Sequence, residues 1–272
     1  MESLARRLCQ QLLEPFHLVA YMSDEPNETL EALGYENYWP GYFASRSAPL
    51  GKVPAEVVDA IFYNFAPGEV AACVPSCWEV ATPEAALAAR EEGCVKALRR
   101  ILGDQADSPE LARAADLAVR IALSAPMEGR ILYAGLRSLP VPTEPVARLW
   151  HAATLLREHR GDGHNIALVA EGIDGQEAHV FAALWMAMKP RDYGRISLSD
   201  ERLAVVMDGL RTRGLLDAAG EFTAAGRETK ERIEATTDAL AAPAYADLKP
   251  DEVEQLVADL EPLVARINAV GY

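Results

Sequence analysis

Apolar residues recur at every third or fourth position over most of the chain, a spacing that predicts α-helices with one buried face. The first such stretch runs from Leu4 to Tyr21, where Pro15 is expected to cause a kink or a helix break. Further helices are predicted at Val53 to Phe65, Thr82 to Leu102 and Asp107 to Leu123. The pattern therefore predicts a mainly α fold with a helical N-terminal half.

The C-terminal half opens with a helix predicted from Val146 to about His159. The glycines on both sides of Asp162 are expected to end it, since glycine is unfavourable inside a helix. Asp162 is then placed to cap a second helix, from His164 to Glu171, whose N-terminal amides would favour an anion.

Polar residues mark the starts of the helices that follow. Asp174 and Glu177 have the spacing of a capping box, and Ser199 and Thr223 are expected N-cap residues. Between the last two helices, the segment LLDAAGEF (215–222) is predicted to form two short strands joined by a turn.

Proline and glycine concentrate between Ser124 and Pro145. Such residues interrupt regular structure and mark domain boundaries. We therefore predict a helical, aromatic-rich domain over residues 1–140 and a second domain over residues 141–272.

The formal net charge of −15 disfavours binding to nucleic acid or to an anionic membrane, although a local basic patch could overcome it. The four cysteines have no zinc-binding spacing and are expected to be reduced and buried. The chain opens without a signal-peptide core, and no segment has the roughly 20 apolar residues that span a bilayer. We expect a cytoplasmic protein.

The segment YWPGYFASR (38–46) is rich in aromatic residues. Tyr38, Trp39, Tyr42 and Arg46 could line a pocket for a planar or anionic molecule, because arginine both stacks and forms paired hydrogen bonds. Packing between helices explains the same pattern equally well. His17 lies four residues before a tyrosine and is either a residue at the edge of the core or part of the same pocket.

The segment REHRGDGH (157–164) is the strongest candidate for chemistry. Arg157 and Arg160 could bind a carboxylate or phosphate, His159 or His164 could move a proton, and Asp162 could orient the imidazole. The alternative is a solvated turn capped by the aspartate. A metal site is less favoured because the histidine spacing is irregular, and no cofactor is expected.

Three helices, a two-stranded wing and a long helix follow the order of a winged helix-turn-helix. The run SDERLAVVMDGLRTRGLLDAAGEFTAAGRE (199–228) resembles the recognition helix, wing and following turn of MarR-type repressors. The whole chain resembles an actinobacterial family of helix-turn-helix proteins, through GYFASRSAPLG (41–51), AIFYNFAP (60–67) and LWHAATLLREHRGDGH (149–164). The resemblance implies a winged-helix-like C-terminal half and a possible homodimer, without a particular activity.

The predicted recognition helix is poorly suited to DNA. It begins with Asp200 and Glu201 and carries Asp208, and the predicted wing has no basic residue. Carboxylates that face phosphates oppose binding. The favoured hypothesis is therefore a small-molecule-binding protein that acts as a cofactor-independent acid–base enzyme, and the family resemblance implies a role in secondary metabolism. The alternative is a ligand-responsive, MarR-like DNA-binding regulator.

Overall fold

The structure is a computed structural model that describes residues 2–193 and 198–271, and these residues confirm the prediction of a mainly α fold. A π-helix over Arg7–Leu13 joins the first two α-helices, and short 3-10 helices lie at Ala48–Leu50, Gly103–Asp107, Pro190–Asp192 and Ala242–Tyr245. The α-helices are α1 (Glu2–Arg6), α2 (Glu14–Met22), α3 (Glu25–Ala32), α4 (Tyr38–Ser47), α5 (Ala55–Phe62), α6 (Cys77–Val80), α7 (Pro83–Leu102), α8 (Pro109–Ser124), α9 (Ile131–Arg137), α10 (Pro145–Ala170), α11 (Gly175–Trp185), α12 (Asp200–Thr212), α13 (Ala224–Ala241) and α14 (Pro250–Asn268).

Helix α10 lies at the centre of the fold. It is 26 residues long and packs against α2, α7, α8, α9 and α13. Its buried residues occupy every side of its first five turns, as expected for a helix enclosed by other helices.

The predicted helix break at Gly161-Asp162-Gly163 is wrong, because α10 continues through it. Packing explains the second glycine. A Cβ at Gly163 would lie 2.6 Å from Nη1 of Arg130, so only glycine allows this guanidinium to approach the helix. From there Arg130 donates hydrogen bonds to the carbonyl oxygens of His159 (2.6 Å) and Leu240 (2.7 Å), which ties α10 to α13.

Asp162 consequently does not cap a second helix, and the expected anion-binding helix N-terminus is absent at this corner. Its carboxylate instead bonds to the N-terminus of α9. Oδ2 accepts a hydrogen bond of 3.0 Å from the backbone N–H of Tyr133, in the first turn of α9. The aspartate thus satisfies one of the free N–H groups at the start of that helix.

The other helix-start signals are confirmed. Ser199 and Thr223 accept hydrogen bonds from the backbone three residues later, and Asp174 with Glu177 forms a capping box. These local signals succeed because the cap depends on residues within one turn of each other.

The predicted two-stranded wing is wrong. Within the described residues, the segment 215–222 contains one antiparallel bridge, between Leu216 and Phe222, and no strand. The segment is too short for a ladder. Asp217 and Gly220 already form the turn, and Thr223 is committed to the cap of α13.

The apolar core forms two clusters of buried side chains. The larger combines α1, α2, α4, α5, α7 and α8 with the first part of α10 and with α14. The smaller combines the end of α10 with α11, α12, the turn after α12 and one residue of α13. Helix α10 therefore contributes to both clusters, and the candidate site lies beside it where they meet.

Candidate functional site

A cavity of about 410 Å³ lies between α4, α5, α10 and α11. Its size falls within the range of roughly 300–1,000 Å³ that is typical of small-molecule sites. The structure thus brings the aromatic segment 38–46 next to the polar segment 157–165. Residues along its walls include Tyr21, Tyr38, Trp39, Tyr42, Arg46, Phe62, Tyr63, Asn64, Phe65, Arg157, Glu158, Gly161, Asp162, His164, Asn165, Ala178, Ala182 and Tyr193.

One wall of the cavity is aromatic and belongs to α4. Tyr38 stacks on Tyr42 with ring centroids 5.7 Å apart, and Trp39 meets Tyr42 edge to face at 5.5 Å. Phe65 closes this wall at 5.9 Å from Trp39. Helical spacing places residues four apart on one face, so the rings both pack together and line the cavity.

The opposite wall contains a buried group of charges around Glu158. Arg46 pairs with this carboxylate through Nε and Nη2, both at 3.3 Å, and Arg157 Nη1 donates to it at 2.8 Å. Burial alone would raise the pKa of Glu158, but the two guanidinium groups outweigh burial and hold it below its ordinary value. Glu158 is therefore ionised at neutral pH.

The two arginines differ in what they can still bind. Every nitrogen of Arg46 already donates a hydrogen bond, since Nη1 donates to the hydroxyl of Tyr42 at 2.6 Å, and its guanidinium carbon lies 4.2 Å from the ring centre of Phe62. The side chain of Arg157 is 29% exposed, and among the described residues it forms hydrogen bonds through Nη1 alone, with Nε at 3.6 Å from Glu14. Its Nη2 has donors to spare, so Arg157 is the arginine that can meet an anion.

Asp162 also faces the cavity and is 7% exposed. Burial raises its pKa to about 6, although the hydrogen bond from Tyr133 opposes the shift. Among the described residues its second oxygen, Oδ1, has no hydrogen-bond partner. A carboxyl group with this pKa can exchange a proton near neutral pH.

His164 has a defined tautomer. The Thr237 hydroxyl donates to the carbonyl of Ile233 at 2.7 Å, so its oxygen accepts from His164 Nδ1 at 2.9 Å. Nδ1 therefore carries the proton, and Nε2 presents a lone pair. Burial and the nearby Lys230 ammonium lower the pKa of His164 to about 4, so the ring is neutral at pH 7. Thr237, and not Asp162, orients this imidazole.

Three predicted site residues, Arg160, His159 and His17, lie outside the cavity. Arg160 faces α13, where it pairs with Asp238 at 3.0 Å and Glu234 at 3.4 Å. His159 is buried edge-on against Tyr133, at 5.0 Å between ring centroids, and burial lowers its pKa to about 3.

His17 stands behind the charged wall. Its Nδ1 lies 3.1 Å from Thr154 Oγ1 and its Nε2 lies 4.0 Å from Glu158. Burial lowers its pKa well below the ordinary value, so it is neutral and supports the wall without reaching the cavity.

Sequence reasoning gave no role to Glu158, Tyr21 or Asn165. Glu158 precedes Asp162 by four residues, which places both carboxylates on one helix face, but this follows only when α10 is continuous. Asn165 donates from Nδ2 to the carbonyl of Ile61 at 2.8 Å and thereby joins α10 to the end of α5.

Helix α11 rests directly on the cavity wall. A Cβ at Gly175 would lie 1.8 Å from the carbonyl oxygen of Tyr63, so glycine is required at this contact. Tyr63 itself has a φ of 66°, an unfavourable conformation for a non-glycine residue, and its hydroxyl donates to the carbonyl of Ile173 at 2.6 Å. Two backbone hydrogen bonds also hold this strained turn, from the N–H of Tyr63 to the carbonyl of Asp59 (2.9 Å) and from the N–H of Asn64 to the carbonyl of Phe62 (2.8 Å).

The surface of α12 is acidic at its N-terminus. Asp200 pairs with Arg191 at 2.8 Å, and Arg202 donates to the side chain of Gln176. Near the end of the helix, Arg211 donates to the backbone oxygen of Asp217 at 3.2 Å. The arginines of this surface are thus engaged within the protein, where a DNA-reading helix usually offers free cations.

The described residues contain no group of three histidine, cysteine or acidic side chains placed to hold a metal ion. The cysteines are buried and free. A membrane-spanning helix, long and apolar throughout, does not occur in the described parts of the chain.

The sequence profile of a helix-turn-helix family matches residues 5–272, so the chain belongs to this helix-turn-helix family. This match gives no evidence for the narrower resemblance to MarR-type repressors, or for an actinobacterial origin. A search of curated proteins and a search of solved structures found no match.

Proposed function

We propose that this helix-turn-helix family member binds a small, planar, anionic molecule in the cavity between α4, α5, α10 and α11. The observation that carries the proposal is the buried charge around Glu158, on the wall of a cavity whose other wall is aromatic. Burying charges costs stability, and a site that binds a ligand gives a reason to keep them.

The ligand would meet three kinds of group. Aromatic rings of α4 would stack on its planar part, and Arg157 Nη2 would pair with its carboxylate or phosphate. The lone pair of His164 Nε2 would accept a hydrogen bond from it. Arg46 would hold the wall in shape, since its nitrogens are already bonded.

The same groups could support acid–base catalysis without a cofactor. At neutral pH Asp162, whose pKa is about 6, is mostly ionised and can take a proton, while the neutral His164 ring can accept a hydrogen bond at Nε2. A role in secondary metabolism rests on the sequence resemblance alone.

Calorimetry against a panel of aromatic acids and nucleotides tests the proposal. We expect a ligand whose binding falls at least tenfold in Arg157→Met and Trp39→Ala. The matched control is Arg148→Met on the same helix, where the arginine pairs with Asp116 at 2.8 Å on the surface. Binding that is equal in all three variants would place the ligand elsewhere, and no binding across the panel would count against the proposal.

A second candidate function is DNA binding, with the cavity as a sensor site. Membership of a helix-turn-helix family favours it. A titration of duplex DNA at two salt concentrations is the test, because phosphate contacts make affinity fall steeply with salt. The Arg211→Ala variant would locate the DNA-binding surface on α12.

A further inference from the structure

Arg90 on α7 is a buried arginine that has no acidic partner among the described residues. It is 6% exposed, and its hydrogen bond is a donation from Nη2 to the hydroxyl of Tyr21 at 2.9 Å. Its guanidinium carbon lies 5.4 Å from the ring centre of Tyr21 and 5.9 Å from that of Trp150. Within the described chain it forms no ion pair, in contrast to Arg46, which is also largely buried.

A second, smaller cavity lies beside Arg90. Its volume is about 20 Å³, enough for one occupant of about the size of a water molecule. It shares Tyr21, Tyr38 and Tyr42 with the larger cavity, so the two are neighbours across the tyrosine side chains. An occupant at Arg90 would therefore lie next to the proposed ligand.

The tyrosine hydroxyls beside Arg90 have protons to donate. The oxygen of Tyr21 accepts from Arg90, and the oxygen of Tyr42 accepts from Arg46 at 2.6 Å. Each hydroxyl also carries one proton, and neither proton has an acceptor among the described residues. The small cavity is lined by Arg90 and these two tyrosines, together with Ser23, Asn27 and Ser45, and no carboxylate is among its lining residues.

The balance of charge points in the same direction. Arg46 and Arg157 both pair with Glu158, and Arg157 also lies 3.6 Å from Glu14, whereas Arg90 has no carboxylate partner among the described residues. Buried charges in proteins are normally neutralised by a partner. A site with a guanidinium, hydroxyl and amide donors and no carboxylate in its lining is chemically suited to an anion.

We infer that the small cavity binds a monoanion, held by the guanidinium of Arg90 and the hydroxyl groups of Tyr21 and Tyr42. The anion is either a free halide ion or the carboxylate group of the ligand in the larger cavity. Only the second source rests on the proposed function.

The first experiment compares thermal unfolding in sodium chloride and in sodium gluconate at equal ionic strength, since gluconate is too large for the cavity. We expect chloride to raise Tm by roughly 2–4 °C. The rise should disappear in Arg90→Met and persist in Arg148→Met. Crystals soaked in bromide should show an anomalous peak beside Arg90, and the same peak should be missing in the Arg90→Met protein.

A second variant tests the same site in case Arg90→Met does not fold. Tyr21→Phe keeps the ring and removes the O–H donor, so the chloride concentration for half of the Tm rise should increase about tenfold. Circular dichroism of both variants checks that the helices are intact.

The source of the anion is decided by competition. If chloride weakens the binding of an aromatic carboxylate but not of its amide, the ligand supplies the anion. If no panel compound binds while the chloride effect persists, the proposed function fails and a free ion occupies the site. Equal Tm in chloride and gluconate, together with carboxylate binding that is unchanged in Arg90→Met, would overturn the inference.

Discussion

Helices α10 and α12 carry the same kinds of polar side chain in opposite surroundings. On α10, Glu158 and Asp162 are buried beside a cavity, whereas Glu201 and Asp208 on α12 are exposed to solvent. Exposed charges cost little and contribute little, while buried charges are expensive and need partners. The difference teaches that polar composition alone does not locate a site, and that burial identifies which polar residues the fold retains at a cost.

The largest effect is expected from Glu158→Ala. Removing this carboxylate leaves Arg46 and Arg157 as neighbouring buried cations, so we expect a loss of about 3–5 kcal/mol in the free energy of unfolding. Urea denaturation measures it. The matched change Glu201→Ala should leave the midpoint where it is, and equal effects at both positions would remove the contrast between the two helices.

The next effect is a gain in stability from Asp162→Asn. The folded-state pKa is about 6 against an ordinary value of 3.8, so the wild-type protein loses stability as pH rises from about 4 through 6. The loss amounts to roughly 2–3 kcal/mol above pH 7. The amide oxygen of asparagine can still accept from Tyr133, so the variant should be more stable than the wild type at pH 8 and equal to it at pH 4.

Asp208→Asn on α12 is the control for that pH profile. Unfolding free energies measured from pH 4 to 8 should follow the wild-type curve. An Asp162→Asn curve that also follows the wild type would mean that the buried carboxyl titrates normally.

A smaller effect is expected from Thr237→Val. The substitution leaves Nδ1–H of His164 without an acceptor, which should cost about 1–2 kcal/mol. Nitrogen NMR shifts of the imidazole should then report a mixture of tautomers in place of the Nδ1–H form. Thr212→Val, which removes an exposed hydroxyl bond to the Asp208 carbonyl, should change neither quantity measurably.

The smallest effect is expected at the surface of α12. Because its arginines are engaged and its N-terminus is acidic, we expect duplex DNA to bind no more tightly than the nonspecific range of about 10⁻⁴–10⁻⁶ M at physiological salt. Fluorescence anisotropy with wild type and Arg211→Ala checks this. Tight binding that Arg211→Ala abolishes would reverse the comparison and favour the regulator.

Much of the helical fold could be predicted from local sequence signals. The caps at Ser199 and Thr223 and the capping box at Asp174 depend on contacts within one helical turn. The continuity of α10 could not be predicted in this way. Gly163 is tolerated in mid-helix because Arg130, 33 positions earlier, occupies the space of its missing side chain.

The candidate site was predicted in part for the same reason. The segments 38–46 and 157–164 were each predicted as candidates from their composition, but the partners of their polar side chains were not. Arg160 turns toward Asp238 on α13 and Thr237 replaces Asp162 as the partner of His164. Both assignments depend on how α13 packs against α10, which local periodicity does not encode.

Helix α11 contacts both the cavity and the region of α12. One of its faces, at Ala178 and Ala182, lines the cavity, while Gln176 and Glu177 bond to Arg202 and Arg213 on α12 and just beyond it. A molecule that changes the position of α11 must also change the energy of those bonds. Thermodynamic reciprocity then requires that any partner that binds α12 and shifts α11 alter the affinity of the cavity by the same factor.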